Sequence, residues 1–441
     1  MKNKIKTLLK FISVSMLFLL IGLAIFSTTN TYKELKSRAT LYVTLNKDQN
    51  WGIRKAILDL AYAVLSTTQN DEHFEFDKNN AEAGAKASKS DLSDYLIQAK
   101  KIIKVDDAKS IVSAIQNAKA GQVILILPGE YKIRMDTLYV KGVGTRQSPI
   151  VLAASQFGQV TLHFNSWEGI LLDKPFWVIK NLIFKGPCED HKRCQHAIHM
   201  TGNADNTVID NNAFINYSAA LKSNGRYPKG KAQFPDNVVF SNNDVYNTEL
   251  RKSNSPASPI DVVGGDNWLL EGNFIADFSR KVRGRMSIVY GAFLKGGGSN
   301  GTIRNNVINC AWNLPYQSSL DIRLGLSLGD GGTGKKWCQV KDCKYEHSGG
   351  VISNNLIMNC KNDVSIYLNK AENTKIYHNV ILNSLGVDAR FPATQLSIQR
   401  NIIQGRVKAR DGAFVSESNN TFVSDLDDVD MLKAAELLAR P

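Results

Sequence analysis

Seven copies of one short pattern constrain the fold more than any other feature of this chain. Each copy is an asparagine that follows an apolar residue by three or four positions and is followed by one or two more: VIDNNAF at Asn212, VFSNNDV at Asn243, LLEGNFI at Asn273, IRNNVI at Asn306, ISNNLI at Asn355, IYHNVI at Asn379 and IQRNII at Asn401. The gaps are 31, 30, 33, 49, 24 and 22 residues. The shortest suits one turn of a parallel β-solenoid, and the longer ones suit a turn plus a loop. A unit this short cannot bury its own apolar face, so successive copies must stack. Asparagine at a fixed corner tolerates a left-handed backbone and can bond to the asparagine of the next turn. The spacing therefore predicts an all-β chain, a right-handed parallel β-helix.

The 441 residues suffice for one large domain with appendages, and 22% charged against 43% hydrophobic residues predicts a mostly globular chain. The net charge of +13 suits an anionic partner: an acidic polysaccharide, a membrane surface or a nucleic acid. Zinc-finger spacing, helix-turn-helix patterning and aromatic RNA-binding signatures are missing from the sequence, which argues against nucleic acid.

Residues 1–30 place four lysines ahead of the apolar run FISVSMLFLLIGLAIF, as in a secretion signal or a membrane anchor. No clean pair of small residues follows for cleavage, so an uncleaved anchor is the preferred reading. Charge asymmetry would place the rest outside the cytoplasm, anchored to the inner membrane and facing the periplasm, or secreted. Residues 31–104 carry helical apolar spacing (TYKELKSRATLYV, WGIRKAILDLAYAVLS) and a polar stretch, which predicts a helical, partly disordered stalk. The solenoid is expected over 105–424. It opens with DDAKSIVSAIQNAKAG, an amphipathic helix that would cap the open end of the first turn. Residues 425–441 read as a short helical tail.

Six cysteines fit an oxidising compartment. The close pairs Cys188/Cys194 and Cys338/Cys343 suggest local bonds. Cys310 and Cys360 each end an asparagine repeat, so stacking could join them, although six cysteines allow fifteen pairings. Zinc is the rival reading of these thiols, but no second pair stands at the spacing a tetrahedral site needs.

Alternation along the strand before each repeated asparagine defines two outward columns. One is expected to hold His199, Asp261, Phe293, Ser327, Tyr367, Asp388 and Lys408. The other is expected to hold Thr201, Lys222, Val263, Lys295, Gly329, Asn369, Arg390 and Arg410. Turns about 4.8 Å apart would make the cations of the second column a ladder that a polyanion relieves. The aromatic rings of Phe293 and Tyr367 could stack on sugar faces, and three glycines after Lys295 could leave room for a ligand. The insertion 330–349, with Asp330, Glu346 and His347, could form a lid. LSLGDGGTG lacks the closing Gly-Lys-Ser/Thr of a phosphate loop.

The stretch from Asp106 to about Asn420 resembles bacterial right-handed parallel β-helix proteins, and DDAKSIVSAIQNAKAGQVILILPGEYK resembles the opening of the chondroitinase B and alginate lyase family. Within that group it is most similar to a branch carrying PIDVVGG, YGAFLKGG, LSLGDGGTG, a Cys-containing insertion ending in EH, and IYLN. The resemblance implies a lyase that uses a lysine as base, an arginine on the next turn, and calcium on acidic residues just before the lysine. Lys295 matches the lysine by position. Ile288 and Tyr290 stand in place of the acidic ligands, and Gly329 in place of the arginine, so calcium is conceivable but its ligand pattern is unmatched and no metal ligands are assigned.

The expected function is action on, or binding of, an acidic polysaccharide. A lyase would use Lys295 as base, with Tyr367 or His199 protonating the leaving oxygen, Arg390 gripping the carboxylate and Asp261 orienting Lys295. Lys222, Asp261, Phe293, Ser327, Asp330, Asn369, Arg410 and His347 would line the substrate. The alternative is a non-catalytic carbohydrate-binding or envelope scaffold protein.

Overall fold

The computed structural model describes residues 83–423, apart from 254–256, 283–285 and 331. The expected anchor, the expected stalk as far as residue 82 and the C-terminal tail lie outside the described residues. No helix among the described residues is long and apolar enough to cross a membrane.

Described strands join into three long sheets of 12, 10 and 11 strands and a short one of 3. Neighbours within each sheet come from successive turns, and the pairings are parallel, for example Val208↔Val239 followed by Val239↔Leu269. The chain is thus a parallel β-helix. Its interior is a continuous apolar column that includes Val105, Ile179, Ile209, Leu270, Ile303, Ile352 and Ile403. Phe164, Phe184, Phe214 and Phe240 stack ring on ring within it at centroid spacings of 6.2, 5.0 and 5.8 Å. Parallel sheets bury their strands, which explains why runs such as Ile150–Ala154 are apolar throughout.

The stack begins at the strand Lys101–Val105, which pairs with Gln122–Ile126. Helix α1, Ala108–Gln116, follows. Asp107 caps it by accepting from the backbone of Lys109 and Ser110, and Ile111 and Ile115 are buried beneath it. Before the first strand, residues 83–90 run down the outside of the solenoid. Gly84 N–H donates to Gly272 O (2.7 Å), Ala85 N–H to Asp244 Oδ1 (3.1 Å) and Lys86 N–H to Asn211 Oδ1 (2.8 Å). Ser90 O accepts from Asn181 Nδ2 (2.9 Å), and Ser90 Oγ from Phe157 N–H (2.8 Å). Leu92 then packs on Val123, Val151 and Val178.

The repeated asparagines form a buried ladder. Each Oδ1 accepts both the backbone N–H and the Nδ2 of the asparagine one turn earlier, at 2.9–3.2 Å, from Asn212 to Asn401. Asn420 extends it by one step. The left-handed backbone expected at these residues belongs instead to the residue before each one: Asn211, Asn242, Gly272, Asn305, Asn354, His378, Arg400 and Asn419. The corner bends there, which frees the following asparagine to turn inward and satisfy backbone groups that the bend leaves unpaired.

All three expected disulfides are present, Cys188–Cys194, Cys310–Cys360 and Cys338–Cys343, which removes the cysteine-zinc reading. Cys310–Cys360 joins adjacent turns. The short sheet (Gly298–Ser299, His347–Ser348, Ala371–Glu372) forms a fourth corner, with His347 at 1% exposure.

Two outcomes test this account. Asn305→Gly is expected to leave the urea midpoint nearly unchanged because position 305 needs φ > 0. Asn306→Gly is expected to lower stability by about 1–3 kcal/mol, since it orphans buried donors of Asn273. Burial also lowers the His347 pKa to about 4. The unfolded chain then binds this proton more readily, so stability is lost as pH falls from about 6.5 toward 4, by a few kcal/mol at most. His347→Gln is expected to flatten that part of a Tm-against-pH curve.

Candidate functional site

The outer face of the ten-stranded sheet carries the candidate site. Strand register places His199, Lys222, Asp261, Phe293, Ser327, Tyr367, Asp388 and Lys408 in one column. Val263 and Lys295 are neighbours in the second column, as are Asn369, Arg390 and Arg410. Lys222 therefore stands in the first column, one residue pair away from its expected place. The strand Ala219–Asn224 pairs Leu221 with Ile198, a register that the loops on either side leave open in the sequence.

Each ladder cation has a carboxylate partner. Lys222 Nζ donates to Asp261 Oδ1 (2.7 Å), Lys295 Nζ to Asp330 Oδ2 (2.6 Å) and Arg390 Nε to Asp411 Oδ2 (2.5 Å). Arg410 grips Asp388 through Nε and Nη2 at 2.8–3.0 Å. The unrelieved repulsion expected along the ladder is thus absent, and the carboxylate beside Lys295 is Asp330, whereas Asp261, expected there, pairs with Lys222. Lys295 also lies 4.3 Å from the Phe293 ring centroid.

Burial changes several expected contacts. Phe293 (3% exposed) is covered in part by Lys295, and Ser327 is fully buried with its hydroxyl donated to Gly329 O. His347 is sealed in the fourth corner. These three offer no surface to a sugar. Asn369 is buried as well and donates to the Tyr367 hydroxyl (3.0 Å). Tyr367 is half-buried, with its ring 6.5 Å from that of Tyr290. Tyr290 was not singled out in the sequence except as a missing calcium ligand, yet it packs edge-on against Phe293 (5.4 Å) and bridges it to Tyr367. Burial pushes its phenol well above the usual range.

The glycines after Lys295 do not leave space for a ligand. Gly296 and Gly297 are left-handed, and a Cβ on Gly297 would meet Val340 at 2.7 Å. The Cys338–Cys343 insertion fills this space. Gln339 N–H donates to Gly296 O (2.8 Å), Gly265 N–H to Gln339 Oε1 (2.6 Å) and Gly296 N–H to Glu346 Oε2 (2.9 Å). The insertion is therefore pinned beside Lys295, and it follows directly on Asp330.

Calcium does not fit the residues around Lys295. Ile288 is apolar, Tyr290 is packed among rings, Asp330 is engaged by Lys295, and Glu346 is buried on a backbone amide. His199 is three strands from Lys295 on the sheet, bonded to Glu168 and Asn224. A separate cleft of 660 Å³, lined by Lys132, Arg134, Asp136, His163 and Arg193, lies on the first turns and contains none of the expected residues.

A profile of the chondroitinase B family matches residues 105–228. No curated protein matches the chain. Among solved structures, a PL6 family polysaccharide lyase from Pseudopedobacter saltans is 14% identical, with 75% of this chain and 94% of that one aligned at TM-score 0.41. Pectate lyase Pel9A is 15% identical (74% and 77% covered, TM-score 0.40), and the A-module of the Azotobacter vinelandii mannuronan C-5 epimerase AlgE4 is 13% identical (72% and 91%, TM-score 0.41). The chain is a parallel β-helix repeat protein, and its residues 105–228 are similar to the chondroitinase B family.

Proposed function

We propose that this protein binds an acidic polysaccharide along the outer face of its ten-stranded sheet and cleaves it by β-elimination. The observation that carries the reading is the Lys295–Asp330 pair, half-buried on that face between an aromatic cluster and further cation–carboxylate pairs. A sugar carboxylate can exchange with the aspartate partner of Arg390 or Lys222, so the ladder offers anion sites whose charge is balanced until substrate arrives. Lys295 removes the proton α to the uronate carboxylate. It must first give its own proton to solvent, which requires its ion pair with Asp330 to open, because the carboxylate favours the ammonium form. The bond to the glycosidic oxygen then breaks, and the Tyr367 hydroxyl, held by Asn369, supplies the proton to that oxygen. The three disulfides support an oxidising, extracytoplasmic setting, with the apolar run of residues 1–30 directing export or anchoring there.

Binding without cleavage is favoured by one observation: Tyr367 lies two strands from Lys295, about 10 Å along the sheet. Incubation with alginate, chondroitin and pectin, followed by ultraviolet absorbance of the unsaturated product, separates the two readings. Lys295→Ala is expected to lower product formation by about 10²–10⁴-fold while binding persists. Arg390→Ala is expected to weaken binding. Saturable binding with no product from any of these polymers would establish the non-catalytic reading.

A further inference from the structure

A second cluster lies on the same sheet, three strands toward the N-terminal turns, and the proposed lyase chemistry does not use it. The strand His196–Thr201 carries His196 and His199, and its neighbour Glu168–Leu172 carries Glu168 directly opposite His196. His199 Nδ1 lies 2.5 Å from Glu168 Oε1, and His196 Nδ1 lies 3.5 Å from the same oxygen. The His196 nitrogen is buried and makes no hydrogen bond among the described residues.

Hydrogen bonding decides which atoms carry protons. Asn224 Nδ2 donates to Gly225 O (3.0 Å), which turns Oδ1 toward His199 Nε2 at 2.7 Å. Since Oδ1 only accepts, His199 Nε2 must carry a hydrogen. A neutral His199 then has a bare Nδ1 lone pair facing a carboxylate oxygen. Two acceptors at 2.5 Å repel unless a proton or a cation sits between them. A single proton on His199 would resolve that contact but would leave His196 Nδ1 unsatisfied. A metal ion resolves both.

Lys222 on the following strand would repel a cation, but Asp261 pairs with it.

We propose that Glu168, His196 and His199 bind a divalent transition-metal ion of the zinc type on the outer face of the sheet. Two imidazoles and one carboxylate suit such an ion better than calcium or magnesium, which take oxygen ligands. Bonds of about 2.0–2.2 Å in a tetrahedron set donors about 3.3 Å apart; the 3.5 Å pair is close to that spacing, and the 2.5 Å pair must open by about 0.8 Å to admit the ion. Asn224 orients His199 from behind, as outer partners of metal-bound imidazoles do. Side-chain exposures of 15–20% leave the cluster open to solvent on one side, where a fourth ligand from water or substrate would bind.

The test is titration of the metal-free full chain with Zn²⁺ by calorimetry, and with Co²⁺ by visible absorption. The expected result is one ion per chain, with a Co²⁺ spectrum of low coordination number. His196→Ala and Glu168→Gln are expected to weaken binding at least tenfold, and Asn224→Ala by about 10–100-fold. If the alanine variant fails to fold by circular dichroism, His196→Gln makes the same comparison. Absence of saturable uptake, or uptake unaltered by His196 and Glu168 substitutions, would overturn the proposal. Neither result bears on Lys295.

Discussion

The rest of the structure depends on one buried column of amide–amide hydrogen bonds. Every turn of the solenoid must reverse direction, and the reversal leaves backbone groups that the sheets cannot pair. The asparagines from Asn212 to Asn420 supply those partners from the turn above. Each Oδ1 accepts twice, so the bonds tie side chain and main chain of consecutive turns together. A step of a full residue would break both bonds and also turn apolar side chains outward. The ladder and the apolar interior therefore fix the same register, and that register determines which outward residues become neighbours.

That linkage explains what the sequence could and could not disclose. The asparagine repeat, the capping helix and the three disulfides were legible because each rests on local chemistry or on a period. The position of Lys222 was not, because two outward columns on one face differ by only two residues and the intervening loops vary in length. Burial of Phe293, Ser327 and Asn369 was hidden for a different reason. Alternation tells which way a side chain points but not what folds over it. Here Lys295 lies against Phe293, and the cysteine-bearing insertion closes on the glycine turn. The left-handed corner residue escaped notice because asparagine, glycine, histidine and arginine all occupy it.

Charge on the outer face is paired: Lys222, Lys295, Arg390 and Arg410 each have a carboxylate within hydrogen-bond reach. Asp261, Asp330, Asp388 and Asp411 come from different strands and loops, yet each lies beside a lysine or arginine. Exposed pairs of this kind add little stability. Their effect is to keep a strongly basic surface locally neutral while leaving donors that an incoming anion can recruit. The Glu168, His196 and His199 group differs in composition, since it sets two imidazoles, with no lysine or arginine, against one carboxylate.

The strip from Gly84 to Ser90 has a mechanical consequence. It bonds in succession to residues at 272, 244, 211, 181 and 157, on different coils. A tension applied through the preceding chain would load these attachments together in shear, instead of peeling the terminal strand one bond at a time. The first coils would thus stay wound under a force that could unravel an untethered end.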